Sequence, residues 1–430
     1  WKQQDNYDNF ITDNNIYKLV SSMIVTDTFS KSLKGRWGLA SDEDPEQGKV
    51  QDLSRISYIG YISHLRNVNM PLDRSIKLTS PHRLHSQQYG YMCPFATPDG
   101  GSVGYLKNLA LLTKITSSSN VDNIKKCLIY LDVVLIENFN LNINKNIVMV
   151  FINGSLYAIT KEPYKLIKTL RIYRRNNLIN ILISISWNIK LNEIRILTDA
   201  GRPCRPLIIN SKLNVKNNYT NWFDMLTGTI NTLTPIDKTD EFYYKDNYTN
   251  PSDLPIFANK SNSEILKELE KNGALIEYLD ADEEDTCFIA MNKQDINVFS
   301  THLEIHPSTM LSAISGNIPL CNHNQSARNV FHAAQSKQAI GIYATNFNKR
   351  FDTMSYVLHY SQKPIISTRI SQYTCSDNMP NGFNVIVAIM SYSGFNQEDS
   401  IMINKNSIER GFFSLSYYKS ITGTSKIVSQ

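Results

Sequence analysis

The sequence predicts a mixed α+β fold divided into several domains. The chain has 430 residues, whereas a single hydrophobic core stops growing at about 250 to 300 residues. Hydrophobic residues make up 42% of the chain and aromatic residues 10%, which is enough to fill sizeable cores and excludes global disorder. Stretches with helical spacing of apolar residues alternate with short apolar runs bounded by turn residues. Helices and strands are therefore both expected.

Charge and cysteine content narrow the class of protein. Lys and Arg number 44 against 39 Asp and Glu, a net charge of +5, which is mild but compatible with a local basic channel. The six cysteines are scattered singly without a CxxC pair, so we expect no zinc in this segment and a reducing compartment. No apolar run approaches 18 residues and no signal peptide opens the chain, so a membrane partner is not expected. The ends, Trp1 and Gln430, lead us to expect an internal fragment of a longer protein.

The first part of the chain, residues 1–113, is predicted to contain two helices and a basic surface. Apolar periodicity predicts helices over residues 15–35 and 56–65, separated by an exposed acidic loop at residues 41–48. Residues 66–98 then hold a single acid, Asp73, against four cations, which are Arg66, Arg74, Lys77 and Arg83. This local excess of positive charge is hidden by the overall balance.

Residues 114–210 are predicted to be mainly β with one helix. Strand-like runs occupy residues 127–136, 147–152 and 182–189, with turn signals at Asn153-Gly154 and Ala200-Gly201. The helix, residues 161–176, carries the cations Lys165, Lys168, Arg171, Arg174 and Arg175. They could face nucleic acid, but a solvated face is the favoured interpretation.

Residues 211–298 begin as polar, loop-rich sequence and end in regular structure. Ser261 and Glu264 form a capping-box pattern that starts a helix, and Gly273 closes it. A strand pair is expected to follow. The acid run at residues 280–285 resembles a cation site, but consecutive acids cannot converge on one ion, so a solvated turn is favoured.

His302, Glu304 and His306 suggest a zinc hydrolase as one alternative. Two histidines four residues apart share a helix face, as in zinc peptidases. The glutamate, however, is not directly after the first histidine, as HExxH requires, and no PCxxC follows as in zinc deaminases. Packing and hydrogen-bonding roles are therefore favoured for both histidines.

A helix that Ser326 is expected to cap places Arg328 in its first turn. A helix start offers free backbone N–H groups and partial positive charge, so phosphate oxygens bind well beside Arg328. Gln338, ten residues on, would lie about 15 Å further along the helix axis, within reach of another part of an extended substrate. The alternative is an ordinary amphipathic helix with a solvent-facing arginine.

Two adjacent carboxylates, Glu398 and Asp399, follow the apolar run at residues 385–390, which is predicted to be a buried strand. Carboxylates at the mouth of a buried strand can share a divalent cation with a charged substrate. Surface turns use the same residue types, so a plain turn is the alternative. In an extended segment the two side chains would point to opposite faces and could not both fully reach one ion.

Taken in order, several segments resemble the second-largest, β-type subunit of multisubunit DNA-dependent RNA polymerases, most closely of the eukaryotic and large-DNA-virus type. The resembling segments span almost the whole chain: Ser63-His64-Leu65-Arg66, Cys93-Pro94, Thr97-Pro98-Asp99-Gly100, Lys107-Asn108-Leu109, Ala200-Gly201-Arg202-Pro203, Glu304-Ile305-His306-Pro307-Ser308, the Arg328 helix, Gln362-Lys363-Pro364 and Glu398-Asp399. The resemblance implies a fork region at residues 1–113, an external 1 domain at 114–210 and an external 2 domain at 211–298. A hybrid-binding region at 299–430 would reach the start of the wall.

The resemblance also implies roles for individual residues. Asp399, with Glu398, would lie at the second Mg²⁺, which is shared with the nucleoside triphosphate, and Arg328 would lie at the phosphates. Gln338 and Lys337 would lie near the RNA 3′ end, and Arg66, Arg74 and Lys77 would lie beside downstream DNA. The sequence departs from the family pattern at Ala96 and Asp99, where Glu is common, and at Phe331, where Tyr is frequent.

The implied activity is template-directed RNA synthesis by two-magnesium nucleotidyl transfer. The family holds its principal Mg²⁺ in an Asp-Phe-Asp-Gly-Asp motif of the largest subunit, and this chain has no such motif, so it is expected to be active only when assembled. Implied partners are the largest and smaller polymerase subunits, template DNA, the RNA–DNA hybrid and nucleoside triphosphates. The implied location is the nucleus, or the cytoplasm or virus factory for a viral source. The alternative is a non-catalytic nucleic-acid-binding module derived from that fold.

Overall fold

A computed structural model describes residues 23–33, 36–37, 46–47, 51–70, 72, 78–131, 133–138, 147–213, 219, 221–230, 250–257 and 260–423. The chain divides into two compact units, Trp1–Arg55 and Ile56–Gln430. Helices and strands both occur throughout, so the predicted mixed α+β class is confirmed. None of the helices in the described ranges is long and apolar enough to cross a bilayer.

The described helices are short and lie between the strands. In chain order they are α1 (Met23–Leu33), α2 (Tyr58–Leu65), α3 (Val121–Tyr130), α4 (Pro163–Arg175), α5 (Trp222–Thr227), α6 (Asn262–Asn272), α7 (Ala281–Glu284), α8 (Ser326–Gln335), α9 (Arg369–Tyr373) and α10 (Lys405–Glu409). The predicted helices over 56–65, 161–176 and 261–273 correspond to α2, α4 and α6. Of the helix predicted over 15–35, α1 forms part, and residues 15–22 and 34–35 lie outside the described residues.

In the described ranges, the strands form two larger sheets and three two-stranded ones. In chain order they are β1 (Arg36–Trp37), β2 (Glu46–Gln47), β3 (Asn67–Asn69), β4 (Leu106–Asn108), β5 (Lys114–Ile115), β6 (Val134–Leu135), β7 (Val148–Ile152), β8 (Ser155–Thr160), β9 (Ser184–Asn188), β10 (Glu193–Leu197), β11 (Pro203–Ile209), β12 (Ile276–Asp280), β13 (Ile289–Ala290), β14 (His302–Leu303), β15 (Met354–Leu358) and β16 (Leu415–Lys419). The first unit contains the β1–β2 pair, so residues 46–47 of the predicted loop are paired.

The first larger sheet has the strand order β6-β8-β7-β10-β9 and is parallel only between β7 and β10. Asn153 and Gly154 join β7 to β8 with positive φ angles of 48° and 83°, as a tight hairpin with an Asn-Gly turn requires. Helices α3, α4 and α6 pack onto this sheet and enclose the largest hydrophobic core. The strand predicted over 147–152 is thus confirmed as β7, and the one over 182–189 as β9.

The strand predicted over residues 127–136 is largely wrong. The Asn120 side chain accepts a hydrogen bond from the Asp122 N–H and caps α3. Ile124, Cys127 and Leu128 then fall on one buried face at helical spacing. Only β6 remains as strand, because helix capping and the burial of this face outweigh local β propensity.

The second larger sheet connects distant parts of the chain. Its order is β12-β11-β14-β13, and β5 also pairs with β11. Strand β11 therefore lies beside strands that begin at residues 114, 276 and 302. It places segments from either side of residues 211–298 in one sheet.

The acid run at residues 280–285 is not a solvated turn, which corrects the sequence-based interpretation. The carboxylate of Glu283 accepts two hydrogen bonds from Arg174, at 2.6 Å from Nη1 and 2.9 Å from Nη2. Arg174 Nη2 also donates to Glu277 at 2.9 Å, and Arg175 Nη2 donates to the same carboxylate at 2.6 Å. Arg174 is only 1% exposed, so these buried charges are paired as their burial demands.

The same network of ion pairs continues through β11. Arg202 Nη1 lies 2.8 Å from Asp280, and Arg205 lies 2.7 Å from both Glu284 and Glu304. The turn that contains α7 directs successive acids to different arginines. The acids do not converge on one site, as expected, but their arginine partners lie 78 to 109 residues upstream.

Helix α4 is only partly the solvated basic face that was predicted. Lys165 and Lys168 are exposed and pair with Glu162 and Glu270. Arg174 and Arg175 point inward into the ion-pair network instead. The helix therefore presents little unpaired positive charge to a nucleic acid.

We expect acid to weaken this region through Glu277. Burial alone would raise the pKa of Glu277, but attraction by Arg175 and Arg174 and the hydrogen bond from His302 outweigh it and hold the pKa well below its ordinary value of 4.5. A carboxyl with a depressed folded-state pKa contributes stability that is complete above its unfolded pKa and is lost as pH falls through the folded value. The melting temperature of the chain, followed by circular dichroism, should therefore decline once pH drops below about 4.5.

A Glu277→Gln variant should melt lower at neutral pH and show a shallower decline in acid, because its position no longer titrates. Glu162→Gln is the matched control, since Glu162 pairs with Lys165 at the surface and should leave the acid profile unchanged. Identical acid profiles for Glu277→Gln and the original chain would contradict the assignment to Glu277.

Candidate functional site

Arg328 lies in the first turn of α8, as predicted, but the cap differs. Gln325, not Ser326, is the N-cap residue, with φ −62° and ψ 137°, and its side chain makes no capping hydrogen bond. Ser326 is the first helical residue, because the chain leaves the extended conformation one residue earlier than expected. The Arg328 N–H donates to the Gln325 carbonyl at 2.9 Å, whereas the N–H groups of Ser326 and Ala327 have no acceptor among the described residues and remain available to an anion.

Asn329 holds the start of α8 through side-chain hydrogen bonds, and the sequence analysis did not identify this residue. It is 1% exposed, donates from Nδ2 to the Cys321 carbonyl at 2.8 Å and accepts from Asn324 at 3.2 Å. These bonds orient the first turn while Arg328, one residue earlier, stays exposed. A polar residue at a buried helix position was the only available signal.

The Arg328 guanidinium stacks on an aromatic ring. Its central carbon lies 5.6 Å from the centre of the Phe331 ring, a cation–π arrangement that limits its motion. No carboxylate among the residues described pairs with Arg328. Phe331 stands where tyrosine is frequent in the resembled family, and its ring faces the guanidinium here.

Lys337 and Gln338 lie beyond the end of α8, so the expectation that Gln338 continues the helix is wrong. The helix ends at Gln335, and the Gln338 N–H donates to the Gln335 carbonyl at 3.0 Å in the following turn. The backbone of this turn contacts α2, since Ser57 Oγ donates to the Lys337 carbonyl at 2.7 Å. Burial lowers the pKa of Lys337, and the Gln338 side chain is exposed.

Glu398 and Asp399 occupy an exposed turn. Their φ angles are positive, 49° and 67°, so they are not in the extended segment that was expected, and the opposite-face argument does not apply. The Asn396 side chain holds the turn, donating to the Met390 carbonyl at 2.6 Å and accepting from the Tyr392 N–H at 3.0 Å. Two carboxylates therefore project from an internally braced turn.

The apolar run at residues 385–390 is not the buried strand that was predicted. It forms no strand, and Ile386 and Ile389 are 100% and 98% exposed. No described part of the chain covers it. Apolar composition predicts burial but does not specify which element provides the cover.

The remaining predicted site residues are Arg66, Arg74 and Lys77. Arg66 Nη2 donates to the carbonyls of Ala110 at 2.6 Å, Leu111 at 3.3 Å and Thr113 at 3.2 Å, and burial lowers its pKa. This side chain thus ties the end of α2 to the segment after β4. Arg74 and Lys77 lie outside the described residues. No hydrogen bond or ion pair among those described joins Arg328 to Glu398 or Asp399.

The histidines of the zinc alternative have the structural roles that were favoured. His302 Nε2 lies 2.7 Å from Glu277 in the buried network, and Glu304 pairs with Arg205. His306 caps the turn Pro307–Met310 by accepting from the Ser308 N–H. Within the described ranges, no group of three or more His, Cys, Asp or Glu side chains could hold a metal ion, and all six cysteines are free.

Comparison with known proteins gives one consistent family. Models of RNA polymerase Rpb2 match three parts of the chain: domain 3 at residues 51–115, domain 4 at 150–211 and domain 6 at 314–429. The chain is 35% identical over 422 residues to DNA-directed RNA polymerase II subunit 2 of Arabidopsis thaliana, covering 94% of this chain and 33% of that protein.

Two further relatives come from distant organisms. The identity is 35% over 420 residues to DNA-directed RNA polymerase II subunit RPB2 of Encephalitozoon cuniculi, covering 95% of this chain and 34% of the relative. It is 34% over 414 residues to DNA-directed RNA polymerase subunit Rpo2 of Sulfolobus acidocaldarius, covering 93% and 33%. The chain thus spans about a third of the length of the curated relatives it matches. The matches follow one another along nearly the whole sequence, and the chain belongs to the family of second-largest subunits of DNA-directed RNA polymerases.

Proposed function

We propose that this chain forms one side of the active centre of a DNA-directed RNA polymerase and contributes to template-directed nucleotidyl transfer. Arg328 carries most of the support. It is an exposed guanidinium without an acidic partner among the residues described, at the start of a ten-residue helix whose first N–H groups have no side-chain cap. It also lies inside the segment that matches Rpb2 domain 6.

Glu398 and Asp399 fit a shared magnesium site rather than an enclosed one. Magnesium retains several waters and takes one or two carboxylates together with substrate phosphates. The turn offers two exposed carboxylates, while the Asn396 side chain is used to hold the turn. When bound with the triphosphate, Mg²⁺ would neutralise charge that develops on the phosphate oxygens.

The chain's own residues would bind and orient the reactants. Arg328 would make a bidentate contact with phosphate oxygens and stabilise the negative charge of the departing pyrophosphate. Asp399 would be the main metal ligand from this chain, with Glu398 beside it. Lys337 and Gln338 would hold the RNA 3′ end so that its terminal oxygen faces the α-phosphate.

Basic residues of the first part of the chain would contact downstream DNA. We assign this role to Arg66, Arg74 and Lys77, which lie within the segment that matches Rpb2 domain 3. The bonds of Arg66 to carbonyls all use Nη2, so a phosphate contact would be made through Nη1.

The proposed partners are the largest polymerase subunit, which would hold the principal Mg²⁺, the smaller subunits, template DNA, the RNA–DNA hybrid and nucleoside triphosphates. The proposed location follows from polymerase II relatives: the nucleus, or the cytoplasm or virus factory if the source is viral.

The direct test is isolation of the native complex through a tag on the full-length protein. A co-purifying chain with an Asp-Phe-Asp-Gly-Asp motif is expected, and the complex should extend RNA on a DNA template. A complex that contains this partner and binds the RNA–DNA hybrid, yet adds no nucleotide, would favour the non-catalytic module instead.

Asp399→Asn should raise the magnesium requirement of the assembled enzyme. The amide keeps the size of the side chain but removes the charge that attracts the cation, so the magnesium concentration for half-maximal extension should rise on the order of tenfold. Glu409→Gln is the matched control, because Glu409 is an exposed acid that pairs with Lys405. If the titration curve for Asp399→Asn coincides with that of the control, Asp399 is not a metal ligand.

A further inference from the structure

The turn proposed to hold the RNA 3′ end is supported by a second helix besides the one that precedes it. Helix α8 ends at Gln335, whose carbonyl accepts from the Gln338 N–H at 3.0 Å, so α8 holds one side of the turn. The Lys337 carbonyl accepts a hydrogen bond at 2.7 Å from the hydroxyl of Ser57. Ser57 is only 1% exposed and Lys337 is half-buried, so this bond is partly shielded from competing water.

The Ser57 hydroxyl makes two bonds that join both elements. It accepts from the Gly60 N–H at 3.0 Å and thereby caps α2, while it donates to the Lys337 carbonyl. One oxygen atom thus connects the start of α2 to the turn after α8. A displacement of the start of α2 would therefore also move the backbone carbonyl of residue 337.

Gly60 allows this close approach. A Cβ at this position would lie 2.7 Å from Ser57 Oγ and 3.0 Å from the Lys337 carbonyl oxygen. Distances this short would force the serine or the turn to move. Glycine is unfavourable inside a helix relative to alanine, and the contact with the turn gives this glycine a physical reason.

Helix α2 is itself held in place by two further contacts. Ile59 packs in a small buried cluster with Ile314 and Ala333, and Ala333 belongs to α8. The Tyr58 hydroxyl donates to the Thr374 carbonyl at 3.1 Å. These contacts therefore hold the start of α2 in place where it bonds to the turn.

We propose that Ser57 and Gly60 are positioning residues that set where Lys337 and Gln338 present their side chains to the RNA 3′ end. This inference rests on the proposed function of that turn. The two residues act through the Lys337 carbonyl and touch neither nucleotide nor metal. They would therefore affect the rate of addition more than the binding of the triphosphate, which is assigned to Arg328.

The experiment is a double-mutant cycle in the assembled polymerase with its full-length subunits, using Gly60→Ala, Gln338→Ala and the pair. Gly60→Ala should lower the rate of single-nucleotide addition at saturating nucleotide by about tenfold, as sub-ångström to ångström misplacement does. The KM for nucleotide should change less than about twofold. In the Gln338→Ala background, Gly60→Ala should have almost no further effect, because both changes act on the same contact.

Gly101→Ala is the matched control, since a Cβ there meets nothing within 4 Å and the rate should not change. Ser57→Ala provides a second route to the same loss and decides the matter if Gly60→Ala does not assemble. The inference would be overturned if the rate losses from Gly60→Ala and Gln338→Ala multiply in the double variant, or if Gly60→Ala causes no rate loss. In either case, a slow Gln338→Ala enzyme would still support the proposed function of the turn. No rate loss from Gln338→Ala would reject the role of the turn itself, and the inference with it.

Discussion

Replacing Arg328 with alanine in the assembled polymerase is expected to slow nucleotide addition by about tenfold to a thousandfold, as loss of one electrostatic stabiliser does. The guanidinium is exposed, free of acidic partners among the described residues and stacked on Phe331, so its main role is not structural. It would stabilise the charge that accumulates on the leaving pyrophosphate. The measurement is single-turnover extension of an RNA primer at subsaturating nucleotide.

Two variants separate this role from general effects. Arg328→Lys keeps the charge but cannot make a bidentate contact, so its rate should fall between those of the original enzyme and the alanine variant. Lys293→Ala removes an exposed cation outside the proposed site and should leave the rate unchanged. Unchanged extension by Arg328→Ala at subsaturating nucleotide would refute the assignment.

Replacing Arg174 with alanine is expected to have the largest effect on stability, about 3 to 5 kcal/mol, because it removes the buried cation that bonds twice to Glu283 and once to Glu277. Arg174 is almost fully buried and bonds to both Glu283 and Glu277. Thermal unfolding, followed by tryptophan fluorescence, reports on the same region, because Trp187 lies in β9 of the sheet beside α4. The transition should shift down by about 10 °C.

Lys165→Ala is the matched control on the same helix. Lys165 is 78% exposed on its side chain and pairs with Glu162 at the surface, and exposed pairs contribute at most about 1 kcal/mol. A stability loss for Arg174→Ala no larger than that of the control would show that the buried network does not stabilise the fold.

Local signals predicted those elements whose determinants lie close together in the sequence. The Ser261 and Glu264 capping box starts α6 as expected, with Gly273 after its end. The Asn153-Gly154 turn forms the hairpin between β7 and β8. In both cases a few neighbouring residues provide the hydrogen bonds and backbone angles that define the boundary.

Features that depend on distant partners could not be predicted. The arginine that pairs with Glu283 lies 109 residues earlier, and no local pattern links the two positions. The prediction that Ile386 is buried was wrong for a related reason, since an apolar run does not specify which element covers it. At the candidate site, the sequence indicated Arg328 and Asp399 but not Ser57 or Gly60, whose roles arise from contact with residue 337.

The buried ion-pair network of arginines and glutamates limits which substitutions can accumulate at these positions during evolution. A mutation that removes Arg174 takes the closest cation from Glu283 and one of the cations from Glu277, and a mutation that removes Glu283 takes one of the two acids from Arg174, so either step alone is penalised. Neutral drift at these positions must proceed by paired changes, in which hydrophobic residues of similar volume replace all the charges together. Homologues should accordingly either keep the charged set or lose it as a block.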